Sequence, residues 1–146
     1  MRNPATLEVV SSVVPDCSGR DVKEALAKAE EGFAQWSRES GRARSRAIRA
    51  WHDRIVDEHE ELARLMVSES GKPLKEARGE MDYACSFLEW FSEEAPRIRG
   101  GVNDGVAPDR RLVTLRQPAG VAALITPWNF PAAMVTRKCG AAMAAG

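Results

Sequence analysis

Apolar residues recur at helical spacing along three stretches of the first part of the chain, and a glycine or proline follows each stretch. This pattern predicts three amphipathic helices. The first begins at Ser18 or Asp21, both suitable N-caps, and ends at Gly41, and the others cover about 43–70 and 74–95. We therefore expect a helical N-terminal part in which each helix turns its apolar stripe inward.

The remaining pattern is typical of strands and turns. β-Branched residues over 7–14 predict a short strand or hairpin. Alternation over 111–117 predicts a strand, with 97–102 as its hairpin partner across a loop rich in turn-forming residues. The run 121–126 is apolar on both faces, as in a parallel strand covered by helices, and Pro131 opens a final helix. The predicted fold class is therefore α/β.

Composition and charge narrow the function classes. The chain has 146 residues, which suits one domain, and 44% of them are apolar, which favours a folded protein. Its 21 basic and 21 acidic residues cancel, which argues against nucleic acid or a membrane as partner. The arginine-rich stretch 42–54 also carries Asp53 and precedes an acidic run, so we expect a solvated face there rather than an RNA-binding surface.

The cysteines and histidines give no sign of a disulfide or metal site. Cys17, Cys85 and Cys139 form neither an even disulfide set nor a ligand spacing, which indicates a reducing compartment. Since the first residues also lack a leader pattern, we expect a cytoplasmic protein. His52 and His59 are not at the i,i+4 spacing of a helical metal pair, so we expect no bound metal.

The segment after the 121–126 run is the strongest candidate site. Open α/β sheets bind ligands at the carboxyl ends of their strands, and Pro127-Trp128-Asn129-Phe130-Pro131 follows such an end. Two prolines restrict the backbone around Asn129, so its amide can be held rigid as a hydrogen-bond donor. The alternative is a rigid loop whose Trp128 and Phe130 are simply core residues.

The residues in this region resemble a known family. The run Pro-Ala-Gly-Val-Ala-Ala-Leu-Ile-Thr-Pro-Trp-Asn-Phe-Pro within 117–146, and the opening Asn3-Pro4-Ala5-Thr6, are similar to the NAD(P)-dependent aldehyde dehydrogenase family. Within that family, three more segments resemble the succinate-semialdehyde dehydrogenases: Ser70 to Ala77, Phe87 to Ala95, and Thr136-Arg137-Lys138. The chain thus resembles the N-terminal part of such an enzyme.

The resemblance implies an assignment of parts. Residues 1–99 would hold the N-terminal strand or hairpin and three helices that pack on the cofactor domain. Residues 100–118 would form a protruding hairpin that joins subunits, so that the full-length protein is a homo-oligomer. Residues 119–146 would be the first β-α unit of a Rossmann-like domain for NAD or NADP.

The resemblance also implies site residues. Ile125, Thr126, Pro127 and Trp128 would line the cofactor, and the Asn129 side chain would be half of the oxyanion hole. That second role is chemically sensible, because attack on an aldehyde creates an alkoxide that an amide donor can stabilise.

A further residue, Arg137, concerns the choice of substrate. The resemblance implies that Arg137 binds the distal carboxylate of succinate semialdehyde, and a two-pronged pair of this kind suits arginine. The alternatives are a surface arginine, or an ion pair with a part of the enzyme outside residues 1–146.

The implied activity is oxidation of succinate semialdehyde to succinate with NAD(P)⁺, as in 4-aminobutyrate degradation. The family's catalytic cysteine and general-base glutamate would lie after Gly146, so none of the three cysteines is expected to be a nucleophile, and residues 1–146 alone are expected to be inactive. Two alternatives stay open: a dehydrogenase for another aldehyde, such as glutarate semialdehyde, and a non-enzymatic helical interaction module. The choice between NAD and NADP stays open as well.

Overall fold

The structure, a computed structural model, describes residues 1–12 and 14–146. Its first helix, α1 (Gly19–Trp36), begins at a capping box. The Ser18 hydroxyl accepts a hydrogen bond from the Arg20 N–H at 3.3 Å, and the Asp21 carboxylate accepts one from the Ser18 N–H at 2.6 Å. Hydrogen bonds from Ser18 also lower the pKa of Asp21. The predicted start of this helix is confirmed, with Ser18 as the N-cap.

The end of α1 lies earlier than predicted, at Trp36 rather than Gly41. The Ser40 hydroxyl caps a new helix, α2 (Gly41–Asp57), by accepting a hydrogen bond from the Ala43 N–H at 3.2 Å. A Cβ on Gly41 would lie 2.7 Å from the Ala95 carbonyl oxygen. Glycine therefore serves close packing at this position, and it does not end a helix.

The predicted single helix over 43–70 is wrong, because the chain changes direction at Glu58. That residue has φ −103° and ψ 13°, and α3 (His59–Ser70) begins immediately after it. The Arg78 guanidinium donates to both carboxylate oxygens of Glu60 at 2.7 and 2.8 Å. This pair joins α3 to α4 (Leu74–Glu94), the helix that carries Arg78.

The third predicted helix is confirmed as α4 (Leu74–Glu94), followed by a short 3-10 turn at Ala95–Arg97. Gly71 ends α3 in the left-handed region at φ 72°, a conformation that glycine adopts without strain. At 21 residues α4 is the longest of these helices, but it carries many charged side chains. No helix within the described residues combines the length and apolar character needed to cross a membrane.

The last helix, α5 (Ala133–Ala145), packs against α2 and α4. Two clusters of buried side chains fill the space between the helices. The first joins α2, α4 and α5 through Ile48, Leu88, Ala95 and Ala144. The second joins α3 and α4 through Ala63, Met66, Ala77 and Met81. The predicted second and third helices turn apolar residues inward as expected, supplying Ile48, Leu88, Met66, Ala77 and Met81, whereas α1 buries no residue.

One arginine of the 42–54 stretch is not on a solvated face. Arg44 is buried, and its guanidinium donates to the Ala144 carbonyl oxygen at 3.1 Å and to the Glu39 carbonyl oxygen at 2.9 Å. The Trp36 indole N–H donates to the Met143 carbonyl oxygen at 2.9 Å. Side chains from outside α5 thus satisfy carbonyl groups that its last turn leaves free.

The predicted hairpin is present, with shifted bounds. Strands β1 (Gly101–Asp104) and β2 (Arg111–Thr114) pair antiparallel, with Val102 opposite Val113. Every residue of both strands is exposed. The hairpin therefore buries none of its side chains against the helices.

Two other predicted strands do not form among the residues that the structure describes. Residues 121–126 form no strand, and all of them except Thr126 are exposed. A strand needs a neighbour to complete its hydrogen bonds, and among the described residues only the hairpin makes a sheet. Over 7–14, one antiparallel bridge joins Arg2 to Val9, and Val13 lies outside the described residues.

Candidate active site

The candidate site lies in the turn that leads into α5. Residues 127–131 form this turn, and the Phe130 carbonyl oxygen already accepts a hydrogen bond from the Met134 N–H at 3.1 Å. Trp128 is 87% exposed and Phe130 is 40% exposed. Neither ring therefore belongs to a core that residues 1–146 form by themselves.

A buried carboxylate holds the end of this turn. Glu80, on α4, is 3% exposed, and its Oε1 accepts hydrogen bonds from the N–H groups of Ala132 at 2.9 Å and Ala133 at 3.2 Å. These N–H groups lie where α5 begins, so they have no partner within the helix. A negative charge at this end of a helix is also favoured by the helix dipole. Glu80 therefore fixes the start of α5 onto α4.

A lysine extends this anchor to the predicted oxyanion residue. The Lys72 ammonium forms an ion pair with Glu80 and donates a hydrogen bond to the Asn129 carbonyl oxygen at 2.8 Å. It also lies 4.3 Å from the centroid of the Phe130 ring, a cation–π distance. The Lys72 ammonium thus holds the carbonyl oxygen of Asn129, and the Glu80 carboxylate balances the charge of Lys72.

The predicted cofactor residues lie next to this turn. The side chains of Ile125 and Trp128 are 82% and 87% exposed, Thr126 is half-buried, and Pro127 is exposed. The Lys138 ammonium donates a hydrogen bond to the Ile125 carbonyl oxygen. This contact ties the chain just before the turn to α5.

The Asn129 side chain is exposed, and the described residues give its amide no hydrogen-bond partner. An open depression of about 470 Å³ lies beside it. The depression is lined by Lys72, Glu76, Gly79, Glu80, Tyr83, Asn129 and Phe130. The arrangement therefore combines a rigid backbone with an amide group that is free to bind an acceptor.

Arg137 lies further along α5 and is exposed. Its guanidinium carbon is 5.6 Å from the centroid of the Phe87 ring on α4. Tyr83 extends the aromatic surface, with its ring centroid 4.5 Å from that of Phe87. The described residues give Arg137 no ion pair, and the aromatic ring orients its charge instead.

The cysteines and histidines lie apart from this turn. Cys85, on α4, is buried, and burial raises the pKa of its thiol. Burial also raises the pKa of the half-buried Cys139, and Cys17 is exposed. His52 contacts Asp53 at 2.8 Å and His59 contacts Asp82 at 3.0 Å, each an ordinary pairing with one carboxylate.

Glu80 has a role that was not predicted from the sequence, although its position on α4 indicates burial. It lies among the inward positions of α4, between Ala77 and Ala84, where a carboxylate needs donors to be buried. The sequence pattern gives Lys72 no role beyond its place in the Ser70 to Ala77 segment. Its partners are far away in sequence, 8 residues on for Glu80 and 57 for Asn129, so local spacing does not reveal its role.

The sequence profile of the aldehyde dehydrogenase family matches residues 1–146. The chain therefore belongs to this family. It is 49% identical over 144 residues to the glutarate-semialdehyde dehydrogenase of Pseudomonas putida, covering 99% of the chain and 30% of that protein. It is 52% identical over 134 residues to the mitochondrial succinate-semialdehyde dehydrogenase of Homo sapiens, covering 92% of the chain and 25% of that protein.

Solved structures agree with this assignment. A crystal structure described as an E. coli NADP dependent enzyme matches 99% of the chain and 30% of its own, with a TM-score of 0.94 and 44% identity. The prediction that the chain has the fold of the N-terminal part of an aldehyde dehydrogenase is therefore confirmed. The chain spans about 30% of the length of the proteins it matches.

Proposed function

We propose that residues 1–146 act within an NAD(P)-dependent aldehyde dehydrogenase that oxidises succinate semialdehyde to succinate. The observation that carries the proposal is the turn at 127–131, where an exposed Asn129 amide stands on a backbone anchored by Lys72. Glutarate semialdehyde is the second candidate substrate, because the Pseudomonas putida relative bears that name. Both aldehydes end in a carboxylate.

Asn129 would act as a donor to the aldehyde oxygen. As the carbonyl is attacked, charge develops on this oxygen, and a fixed N–H donor stabilises that charge without reorganising during the step. The free side-chain amide and the anchored carbonyl of Asn129 both support this role. The attacking thiol and the general base would come from outside residues 1–146.

The residues before the turn fit one wall of a cofactor site. Ile125 and Trp128 expose apolar side chains that suit the flat face of a nicotinamide ring, and the half-buried Thr126 adds a hydroxyl. When bound, NAD or NADP accepts the hydride that leaves the substrate carbon. Lys138 supports this wall by holding the Ile125 carbonyl, and the described residues contain no cluster that would hold a metal ion.

The division of the chain that the resemblance implies is part of the proposal. Residues 1–99 would pack on the cofactor domain, and 119–146 would begin that domain. The hairpin within 100–118 would join subunits of a homo-oligomer, since it exposes Val102 and Leu115 at 70% and 74%. Cytoplasmic location stays part of the proposal, on the ground of three unpaired cysteines.

The first test is Asn129→Ala in the full-length enzyme. This is the protein that contains residues 1–146 together with the part that carries the attacking thiol. We expect kcat to fall by at least about 100-fold, with little change in cofactor affinity, because the lost bond forms only in the transition state. Gln35→Ala, which removes an exposed amide of α1, is the control. A kcat within about twofold of wild type would remove Asn129 from the catalytic residues.

The second test addresses the substrate through Arg137. Its exposed guanidinium, with no ion pair in the described part of the chain, is available for a distal carboxylate. We expect Arg137→Ala to raise KM for succinate semialdehyde at least about tenfold, and Arg137→Lys to recover only part of the loss. Butyraldehyde, which lacks the carboxylate, should be oxidised almost as before. Equal losses on both aldehydes would make Arg137 structural.

A further inference from the structure

Lys72 and Glu80 make one network that links three segments of the chain. Lys72 lies in the turn before α4, Glu80 lies within α4, and the groups they bind lie before and at the start of α5. The Glu80 side chain is 1% exposed and that of Lys72 is 14% exposed. A buried ion pair is costly unless further hydrogen bonds complete it, and this pair has them.

Each polar group of the network has a separate partner. Glu80 Oε1 takes the two N–H groups at the start of α5, and Oε2 takes the Lys72 ammonium. The ammonium has donors left over, and one of them goes to the Asn129 carbonyl oxygen at 2.8 Å. The backbone is therefore fixed on both sides of Pro131.

The position of Lys72 is set by its neighbours in sequence. Gly71 has φ 72°, and Pro73 fixes its own φ at −56° and restricts the residue before it. The backbone of Lys72 is thus constrained before its side chain makes any contact. The Lys72 ammonium is therefore a positioned hydrogen-bond donor and not a flexible surface cation.

We propose that Lys72 and Glu80 are positioning residues that orient the Asn129 amide toward the substrate oxygen. This inference rests on the proposed function, since it gives Asn129 the oxyanion role. Fixing the Asn129 carbonyl fixes the peptide plane that follows its Cα, and so limits the directions in which its side chain can point. A donor that is misaligned loses most of its catalytic value, because oxyanion stabilisation depends on preorganised geometry.

The kinetic test is a double-mutant cycle in the full-length enzyme. We expect Lys72→Met to lower kcat about tenfold while KM for aldehyde and for cofactor stays within about twofold. In the Asn129→Ala background the same substitution should cost less than about twofold, because its target is already gone. Equal losses in the two backgrounds would show that Lys72 acts by another route and would overturn the proposal.

Matched variants separate positioning from general stability. Lys75→Met removes a neighbouring exposed lysine, and Glu61→Gln removes an exposed carboxylate that has no ion pair among the described residues. Both should leave kcat unchanged. Glu80→Gln keeps an acceptor for the Ala132 and Ala133 N–H groups but removes the charge that holds Lys72, so it should fold and should lower kcat as Lys72→Met does. A Glu80→Gln enzyme with full kcat would contradict the inference.

A readout that needs no activity completes the test. Glu80→Ala should speed hydrogen exchange at the Ala132 and Ala133 N–H groups about tenfold or more, because they lose their acceptor. Unchanged exchange there would overturn the network itself. Full kcat for Asn129→Ala alone would instead refute the oxyanion role of the proposed function, whatever the exchange data show.

Discussion

The helices α2 to α5 and the segment 98–130 belong to one chain but differ in how many of their apolar side chains they bury. In the helices, Ile48 and Leu88 are completely buried. In the segment, Val106 and Ile125 are more than 80% exposed, and both strands of the hairpin are exposed throughout. The helices therefore bury a core within residues 1–146, although Trp90 and Leu65 stay 64% and 45% exposed, whereas the segment presents most of its apolar side chains outward.

The largest expected effect tests this contrast at one leucine in each region. Leu88→Ala should lower the free energy of unfolding by about 3 kcal/mol, because it opens a cavity in a closed cluster. Leu112→Ala, in the exposed β2, should change it by less than about 0.5 kcal/mol. Urea denaturation of residues 1–146, followed by tryptophan fluorescence, measures both. Similar losses at the two positions would show that the hairpin is packed in solution.

A smaller effect tests how tightly α5 packs against α4. A Cβ on Gly140 would lie 3.1 Å from Phe91 Cδ2 and 3.3 Å from Leu88 Cδ2, whereas one on Gly79 would meet nothing within 4 Å. We expect Gly140→Val to destabilise by about 1–3 kcal/mol through overpacking. Gly79→Ala should stabilise by about 0.5–1 kcal/mol, since alanine favours the helix. Thermal melting distinguishes the two, and a neutral Gly140→Val would mean that α5 is not tightly packed.

The smallest effect is a pH dependence at the surface of α3. Hydrogen bonds from Arg78, aided by its charge and that of Arg64, lower the pKa of Glu60 from 4.5 to about 2. Because the folded pKa is the lower one, the stabilisation is complete above about pH 4.5 and disappears as the pH falls toward about 2. The melting temperature of Glu60→Gln should therefore lie below that of wild type at neutral pH and converge with it near pH 2. A constant difference across this range would contradict the ion pair, and Glu61→Gln is the control.

Sequence reasoning succeeded where the signal is local. The capping residue Ser18, the ends of α4 and the hairpin turn all depend on residues that are neighbours in the sequence. It failed where a distant partner decides the outcome. The break at Glu58 lies two residues before Glu60, which pairs with Arg78 on α4. The run 121–126 forms no strand without a second strand beside it.

In the candidate site, too, neighbouring residues could be recognised from the sequence and distant partners could not. Asn129 and its flanking prolines could be found from the sequence because rigidity and a polar amide occur together there. Glu80 and Lys72 could not be connected to Asn129, because that requires knowing that α4 lies against the start of α5. The roles predicted for Ile125, Thr126, Pro127, Trp128 and Arg137 stay predictions.

The contact of Trp36 with the last turn of α5 has a consequence for the order of folding. It joins α1 to a residue 107 positions further along the chain, and α1 buries no residue of its own. Closing so long a stretch of chain costs entropy that few early contacts repay. During synthesis, α1 therefore leaves the ribosome long before the helix that holds it has been made. We expect α2 to α4 to assemble first and α1 to dock last, although α1 precedes them along the chain.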